Sequence, residues 1–217
     1  MKKNISTILV LLSLFLVACS PEAFTFDNLP ILRDQDIFFV DEFSDPKSGW
    51  LAEKNDNIIL EYSPEGFWII SNNQNTIAWS LPGMNFKDVQ AEVSVSKVTG
   101  SDNNAFGILC RYKNKDNYYR FSISSDGYYG ISKVENGTEN TLGNDVMDFS
   151  FDILQGFEEN RLAVICEGSN LELYVNDNRL MSVQDETFTT GDIGIFTENR
   201  EGDNLAVLFK NFLVKNP

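Results

Sequence analysis

Two arginines and several tyrosines recur in a segment typical of adjacent β-strands, residues 106–130 (FGILCRYKNKDNYYRFSISSDGYYG). Tyrosine rings can stack on the faces of sugar rings, and arginine guanidinium groups donate hydrogen bonds to hydroxyls or carboxylates. Such side chains on one open face of a sheet would form a ligand-binding patch. The candidate ligand-binding residues are Arg111, Tyr118, Arg120 and Tyr128.

Successive side chains of a strand point to opposite faces, and this alternation sorts the aromatic residues of YYRFSI. Tyr119, Phe121 and Ile123 share an apolar face, which we assign to the core. Tyr118 and Arg120 share the opposite, outer face. The neighbouring tyrosines therefore have different roles, one in the core and one at the surface.

The connections between these strands set their register. If the KNKDN loop closes a hairpin with Tyr112 opposite Tyr119, then Arg111 and Arg120 become cross-strand neighbours on the outer face. The following Ser-Asp-Gly turn suits a three-residue connection with Gly127 in the left-handed conformation. We therefore expect the two arginines to lie side by side.

The same register places Tyr128 on the outer face with Arg120, and it places Tyr129 and Ile131 in the core. A competing interpretation needs no ligand. Like charges opposite one another destabilise a sheet, so neighbours such as Glu172 would neutralise the arginines while the tyrosines simply cover the sheet. The residues alone leave both interpretations open.

The chain of 217 residues contains no histidine, which limits the chemistry it can perform. This absence excludes Ser-His-Asp and Cys-His catalysis and every histidine-ligated metal site. The formal net charge of −15 also disfavours binding to nucleic acid, because phosphate backbones are negatively charged. Any catalysis would have to use carboxylates, tyrosine, lysine or a bound cation.

The N-terminus has the features of an export signal. Lys2 and Lys3 precede an apolar run that is too short to span a membrane as a mature helix. The L-V-A-C stretch that ends at Cys19 resembles the lipobox of bacterial lipoproteins. The resemblance implies removal of residues 1–18, lipidation of Cys19 and, because Ser20 follows, an outward-facing location. The alternative is an ordinary secretory signal with a coincidental cysteine.

The resemblance to lipoproteins predicts an extracytoplasmic protein, anchored to the bacterial cell membrane or outer membrane by its lipid alone. Residues 19–37 then form the lipidated cysteine and a tether, and residues 38–217 form the domain. In an exported chain, Cys110 and Cys166 are expected to form a disulfide if their strands are neighbours. Two separate buried thiols are the alternative.

Residues 38–217 have the pattern of an all-β domain. The segment VQAEVSVSKV, residues 89–98, alternates apolar and polar side chains, as a half-buried antiparallel strand does. Similar short runs, separated by turn signals such as Asp126–Gly127 and Asn136–Gly137, predict further strands. These runs are NIILEY, GFWIIS, TIAWSL, FGILCRY, YYRFSI, YYGISKV, RLAVICE, LELYVN, DIGIFTE and AVLFKNFLV. Only DFSFDILQ, residues 148–155, is compatible with a short helical turn. Many short strands predict a sandwich of two sheets.

A succession of motifs resembles the concanavalin A-like lectin/glucanase superfamily, in its laminin-G-like and 3-keto-disaccharide hydrolase branch. The motifs are SGW at residues 48–50, FGILCRY, NYYRFSISSDGYYGISK, NRLAVICEGSNLELYVND, TTGDIGIFTEN and LFKNFLV. The resemblance implies an antiparallel jelly roll of two curved sheets. It also implies carbohydrate binding on a concave face or rim loops, in some members with calcium nearby.

The chain lacks the E-x-D-x-x-E strand motif that supplies the two catalytic carboxylates in glucanases of that superfamily. Acidic loops such as DEFSD (residues 41–45) and GSDNN (residues 100–104) offer oxygen ligands for a structural calcium, or are simply solvated. The sequence thus favours a non-catalytic, carbohydrate-binding lipoprotein. A glycoside hydrolase with loop carboxylates and a structural or protein-binding envelope lipoprotein are the alternatives.

Overall fold

The computed structural model describes residues 37–202 and 204–217. The predictions made for residues 1–36, namely the signal peptide, lipidation of Cys19 and most of the tether, lie outside the described residues. The described residues form two antiparallel β-sheets that pack face to face. None of them belongs to a helix long and apolar enough to cross a membrane.

One sheet has nine strands. They are β1 (Ile37–Asp41), β2 (Glu53–Lys54), β3 (Ile58–Ser63), β4 (Gly66–Ser71), β6 (Val89–Thr99), β12 (Asn160–Glu167), β13 (Asn170–Val175), β14 (Asn178–Gln184) and β16 (Leu205–Lys215). Their spatial order is β14-β13-β12-β6-β16-β4-β3-β2, and β1 pairs with the second half of β16. Strands distant in the sequence therefore meet at the centre of this sheet.

The other sheet has seven strands. They are β5 (Thr76–Ser80), β7 (Ala105–Asn114), β8 (Asn117–Ser124), β9 (Tyr128–Glu135), β10 (Thr138–Leu142), β11 (Asp148–Phe149) and β15 (Asp192–Asn199). Their spatial order is β10-β9-β8-β7-β15-β5, and β11 pairs with the start of β9. The long run from β7 to β10 is a meander, so the predicted patch lies on strands that are consecutive in sequence.

The core lies between the inner faces of the sheets, as alternation predicted. In β6, Val89, Ala91, Val93 and Val95 are at most 1% exposed, while the intervening side chains are partly exposed. Tyr119, Phe121, Ile123 and Ile131 of the other sheet belong to the same buried cluster. The predicted all-β jelly-roll sandwich is confirmed.

Two sets of contacts link the sheets. The predicted disulfide is present in the structure, joining Cys110 on β7 to Cys166 on β12. Directly after β14, Asp185 accepts a hydrogen bond from the Tyr119 hydroxyl (2.5 Å) and pairs with Lys133 of β9 (2.9 Å). The Tyr119 hydroxyl also accepts from the amide of Phe188 (3.1 Å). These polar groups tie the edge of one sheet to the inner face of the other.

Some elements differ from the prediction. The segment DFSFDILQ forms β11 and turns instead of a helical turn. Five strands, β1, β2, β10, β11 and β14, were not among those predicted. Strand β10 (TENTL) is polar and mostly exposed, so it has no alternation to detect. Strand β10 nevertheless forms one wall of the candidate site.

Candidate functional site

The predicted register between β7 and β8 is wrong. Cys110, not Tyr112, lies opposite Tyr119, and the next pair is Asn114 with Asn117. Three residues of β7 thus face a single residue of β8, which makes a bulge. The tight turn explains the difference, because the Asn114 side chain accepts hydrogen bonds from Asp116 and Asn117 and closes the hairpin at its tip.

The bulge turns Arg111 into the protein. Its φ of 52° is in the left-handed region, and the residue is 1% exposed. Its guanidinium donates to the carbonyls of Lys87 (3.3 Å), Gly168 (2.8 Å) and Phe188 (2.7 Å). Asp88 lies 3.5 Å from Nη2. The prediction that Arg111 neighbours Arg120 on the outer face is therefore wrong, since Leu109 lies opposite Arg120.

The register between β8 and β9 is as predicted. Phe121 pairs with Ile131 and Ile123 with Tyr129, which puts these four side chains toward the core. Three of the four candidate residues therefore remain on the outer face of the seven-stranded sheet: Tyr118, Arg120 and Tyr128. Tyr118 is 4% exposed and Arg120 is 2% exposed, whereas Tyr128 is 43% exposed. Arg120 is recessed in this face, although the described part of the chain forms no further sheet that could cover it.

Arg120 is neutralised by two carboxylates from other strands. Its Nη2 lies 3.0 Å from Glu139 of β10 and 2.9 Å from Glu198 of β15. The guanidinium also lies over the Phe196 ring, 5.2 Å from its centroid. Glu172, named above as a candidate neutraliser, instead lies on the nine-stranded sheet, 3.6 Å from Arg179. Neutralisation of Arg120 is thus confirmed, but with different partners.

Arg120 has unused hydrogen-bonding capacity. Its Nε and Nη1 atoms are buried and have no partner among the described residues. An unpaired buried donor costs about 1–3 kcal/mol, and more when charged, so an oxygen acceptor that reached these nitrogens would be favoured. The side chain lines a groove of about 320 Å³. Its other lining residues are Ser122, Gly130, Ile131, Ser132, Glu139, Thr141, Met147 and Arg200.

A network of hydrogen bonds holds the walls of this groove. Ser132 donates to Glu139 (2.6 Å), and Arg200 donates from Nε to Glu198 (2.7 Å). Arg200 also contacts the Met147 sulfur at 3.4 Å. Arg120, Arg200 and Glu139 line the groove, and Glu198 pairs with both arginines. Two cations and two anions therefore lie close together, along with small hydroxyl groups. Because the positive and negative charges balance, this set offers both hydrogen-bond donors and acceptors and suits a ligand that carries no net charge.

Aromatic residues lie beyond Arg120 toward the hairpin tip. Tyr112, turned outward by the bulge, stacks on Tyr118 with ring centroids 5.5 Å apart. Trp79 lies 6.2 Å from Tyr112 and 6.5 Å from Tyr118. Burial raises the pKa of Tyr112 and Tyr118, so both hydroxyls stay neutral at pH 7. Trp79, from the predicted strand TIAWSL, belongs to this outer cluster.

The groove residues that sequence reasoning missed come from separate segments. Glu139 is on a strand without apolar alternation, and Glu198 and Arg200 lie about 80 residues beyond Arg120. No local motif links them. The signal that pointed to the site was the alternation of YYRFSI, which placed Arg120 on the face opposite the core.

The two glutamates raise the question of hydrolysis. Each lies close to the same nitrogen of Arg120, so their contacting oxygens are at most about 6 Å apart. Retaining glycosidases place two carboxyl groups about 5–5.5 Å apart. In such enzymes, however, the carboxyl groups flank the bond to be cut, and here the Arg120 guanidinium occupies the space between them. The arrangement is better suited to binding than to catalysis.

The acidic loops proposed for calcium are engaged by the chain itself. In DEFSD, Asp41 accepts hydrogen bonds from the Trp50 indole (2.9 Å) and the Phe43 amide (2.6 Å). In GSDNN, Asp102 pairs with the buried Lys97. Over residues 37–202 and 204–217, no group of three or more acidic or cysteine side chains is placed to hold a metal ion. A structural calcium stays a prediction.

Comparisons with known proteins reveal the fold alone. No protein-family model matches the chain, and no curated protein matches it. Among solved structures, it is similar to the carbohydrate-binding module CBM66 from Bacillus subtilis, with a TM-score of 0.64 and 17% identity. That similarity covers 78% of this chain and 96% of the module. The shared architecture is the two-sheet sandwich.

Two other similar structures are informative. A Bacillus subtilis protein of unknown function with a galectin-like fold gives a TM-score of 0.61 and 9% identity, covering 83% of this chain and 96% of that one. A xylan β-1,4-xylosidase from Bacillus halodurans gives 0.59 and 12%, covering 87% of this chain. The match spans only 41% of the xylosidase. The sandwich therefore makes up almost all of two of these solved chains and less than half of the third.

Proposed function

We propose that the protein is a non-catalytic carbohydrate-binding module whose binding site is the groove around Arg120. The observation that carries this proposal is the buried, incompletely hydrogen-bonded guanidinium of Arg120, which lies between Glu139 and Glu198 in a recess of the outer face. The structural similarity to a carbohydrate-binding module supports the same function.

The chemistry of the groove favours a neutral sugar. A sugar hydroxyl both donates and accepts hydrogen bonds, so one hydroxyl can accept from an arginine while it donates to a glutamate. Arg120 and Arg200 balance Glu139 and Glu198, which leaves no excess positive charge for a carboxylate or sulfate group. The overall charge of −15 further repels an acidic glycan.

The proposed location is outside the cytoplasm. The lipobox-like stretch before Cys19 supports export and lipid anchoring, and the Cys110–Cys166 disulfide is consistent with an oxidising compartment. An anchored module of modest affinity would hold a polymeric glycan through many simultaneous contacts. Its partner would be a glycan or a glycan-bearing surface, with the membrane contacted only through the lipid.

Affinity gel electrophoresis tests the proposal. The soluble domain, residues 20–217, is run through gels containing xylan, mixed-linkage β-glucan or galactomannan, and through gels containing the acidic polymers alginate or polygalacturonate. We expect retardation by at least one neutral polymer and none by the acidic ones. Arg120→Ala should abolish it. Arg161→Ala is the matched control, because Arg161 is exposed on the other sheet and pairs with Asp177.

Three results would contradict the proposal. Retardation that survives Arg120→Ala would place the site elsewhere, and retardation by the acidic polymers alone would overturn the preference for neutral sugars. Release of reducing sugar from a neutral polymer, lost in Glu139→Gln or Glu198→Gln, would establish hydrolysis at this groove instead.

A further inference from the structure

Three aromatic rings form an exposed cluster on the side of the groove opposite Trp79. The Tyr128 and Phe149 ring centroids are 5.5 Å apart, and those of Phe149 and Phe151 are 4.9 Å apart. Tyr128 is 43% exposed, Phe149 is 41% exposed and Phe151 is 89% exposed. Large apolar side chains left this open on a soluble domain usually mark a binding surface. We call these three residues the aromatic platform.

The platform is continuous with the groove. Strand β11 pairs with β9, which puts Phe149 opposite Tyr128. Met147, two residues before Phe149, lies over Gly130 and lines the groove, and a Cβ atom at Gly130 would be 3.3 Å from its side chain. A ligand that leaves the groove past Met147 therefore meets the platform next.

The platform lies too far from Arg120 for one sugar to touch both. Tyr129 pairs with Ile123, so Tyr128 is level with the residue four positions after Arg120 on β8. At 3.3 Å per residue, this separation is about 13 Å along the strand. Only a ligand of several sugar units would contact Arg120 and the platform together.

Carboxylates surround the platform. Asp126 accepts a hydrogen bond from Ser124, Asp148 from Asn144, and Asp152 from Ser150. These charges disfavour contact with anionic lipid headgroups, and they would also repel the same surface of a second copy of this chain. Aromatic faces edged by hydrogen-bond acceptors instead complement a neutral sugar, whose C–H faces are apolar and whose hydroxyls are donors.

We infer that the groove and the platform together bind several consecutive units of a neutral polysaccharide chain. In this inference, which rests on the proposed function, Arg120 and its glutamates hold one sugar unit. The platform stacks against units farther along the chain, in the direction of Met147. The groove would therefore select glycan chains of sufficient length and would bind single sugars poorly.

The test compares ligand lengths. Isothermal titration calorimetry is run with the oligosaccharides, from disaccharide to hexasaccharide, of whichever named neutral polymer retards the domain. We expect affinity to rise with length and then level off. Phe149→Ala and Phe151→Ala should weaken hexasaccharide binding on the order of tenfold each while leaving disaccharide binding within about twofold. Phe38→Ala, which removes a 48%-exposed phenylalanine on the other sheet, is the matched control.

The outcomes separate the inference from the proposed function. Loss of all binding in Arg120→Ala, with platform variants unchanged at every length, would overturn the inference and leave the proposed function intact. No retardation by any neutral polymer would overturn both. If Phe151→Ala instead abolishes binding to neutral phosphatidylcholine vesicles, or self-association seen by analytical ultracentrifugation, the platform serves a membrane or a second copy and the inference is wrong.

Discussion

Arg111 and Arg120 are two buried arginines of the same hairpin, and they are used in opposite ways. Each is at most 2% exposed, and among the described residues one guanidinium nitrogen of Arg111 and two of Arg120 have no hydrogen-bond partner. Arg111 reaches into the end of the sandwich and holds three backbone carbonyls there. Arg120 lies on the outer face, and within the described residues its guanidinium forms ion pairs with the side chains of Glu139 and Glu198, next to a groove.

The difference separates an arginine with a structural role from the arginine that we propose to bind ligand. Backbone carbonyls are fixed by the loops and strands that carry them, so the three bonds of Arg111 join separate segments into one unit. The glutamates around Arg120 are side chains on a groove wall, and they can exchange a contact with arginine for a contact with ligand. Burial alone does not distinguish these roles, whereas the nature of the partners does.

The largest expected effect tests the structural side of this comparison. Arg111→Ala should lower the free energy of unfolding by about 3 kcal/mol, because it leaves buried carbonyls and Asp88 without their donor. Arg120→Ala should cost only about 1 kcal/mol, since its glutamates are partly solvated. Urea denaturation measures both. Equal losses for the two variants would remove the distinction.

A lysine control sharpens that measurement. Arg111→Lys keeps the charge but cannot span three carbonyls with one ammonium group, so it should recover less than half of the lost stability. Full recovery would mean that the charge, and not the fork of donors, stabilises this end of the sandwich.

The second effect is the pH dependence of stability that arises from the hydrogen bond between Tyr119 and Asp185. Burial alone would raise the pKa of Asp185, but hydrogen bonds from Tyr119, Thr187 and Lys133 outweigh it and hold this pKa well below its ordinary value. A depressed carboxyl pKa stabilises the fold above the unfolded-state value of about 3.9, and this contribution is lost as the pH falls below it. Acid should therefore weaken the link between the sheets.

Asp185→Asn tests this link directly. At pH 7 the substitution should lower the free energy of unfolding by about 2 kcal/mol, because the Lys133 ammonium loses its buried partner. Between pH 5 and pH 2, thermal unfolding should then be less pH-dependent in the variant than in the wild type. Parallel pH profiles for the two proteins would show that Asp185 does not carry the effect.

A smaller effect separates the two glutamates of the groove. Glu139 has a side chain 39% exposed and contacts Arg120 and Ser132, whereas Glu198 is 18% exposed and holds both Arg120 and Arg200. Glu139→Gln should therefore leave stability nearly unchanged and weaken binding to a neutral polymer about fivefold. Glu198→Gln should reduce stability and binding together. Affinity electrophoresis with urea denaturation distinguishes the two patterns.

The smallest effect is expected on the opposite sheet. Arg161 is 52% exposed, and its partner Asp177 is 74% exposed. Arg161→Ala should change the free energy of unfolding by less than about 0.5 kcal/mol and should leave glycan binding unaltered. A large loss of binding would mean that the outer face of the nine-stranded sheet, and not the Arg120 groove, holds the ligand.

Most of the sheet framework could be predicted from the sequence, because alternation in strands such as β6 and β8 reports directly which side chains face the core. The same alternation assigned Tyr119 to the core and Tyr118 to the outer face. The position of Arg111 could not be predicted, since the bulge depends on how the Asn114 turn closes. A register shift of this kind leaves no local signal in apolar periodicity.

Of the candidate site, only Arg120, which forms the floor of the groove, could be placed from the sequence. Arg120 could be assigned to the outer face, but Glu139 comes from an exposed polar edge strand and Glu198 from a distant one. Their approach to Arg120 is a property of the strand order β10-β9-β8-β7-β15, which no pairwise motif encodes. The strand order therefore brings Glu139 and Glu198 to the groove, whereas the local alternation of β8 alone places Arg120 on the outer face.

The bulge at Arg111 reverses the alternation of inward and outward side chains within β7. Up to Cys110, β7 obeys the alternation of the sheet, and after the bulge the inward and outward positions are exchanged. One backbone irregularity thus delivers Arg111 to the interior and Tyr112 to the aromatic cluster beside the groove. Inserting or deleting a single residue there would misdirect both side chains at once. Such a change would therefore alter both the stability of this end of the domain and the shape of the surface beside the groove.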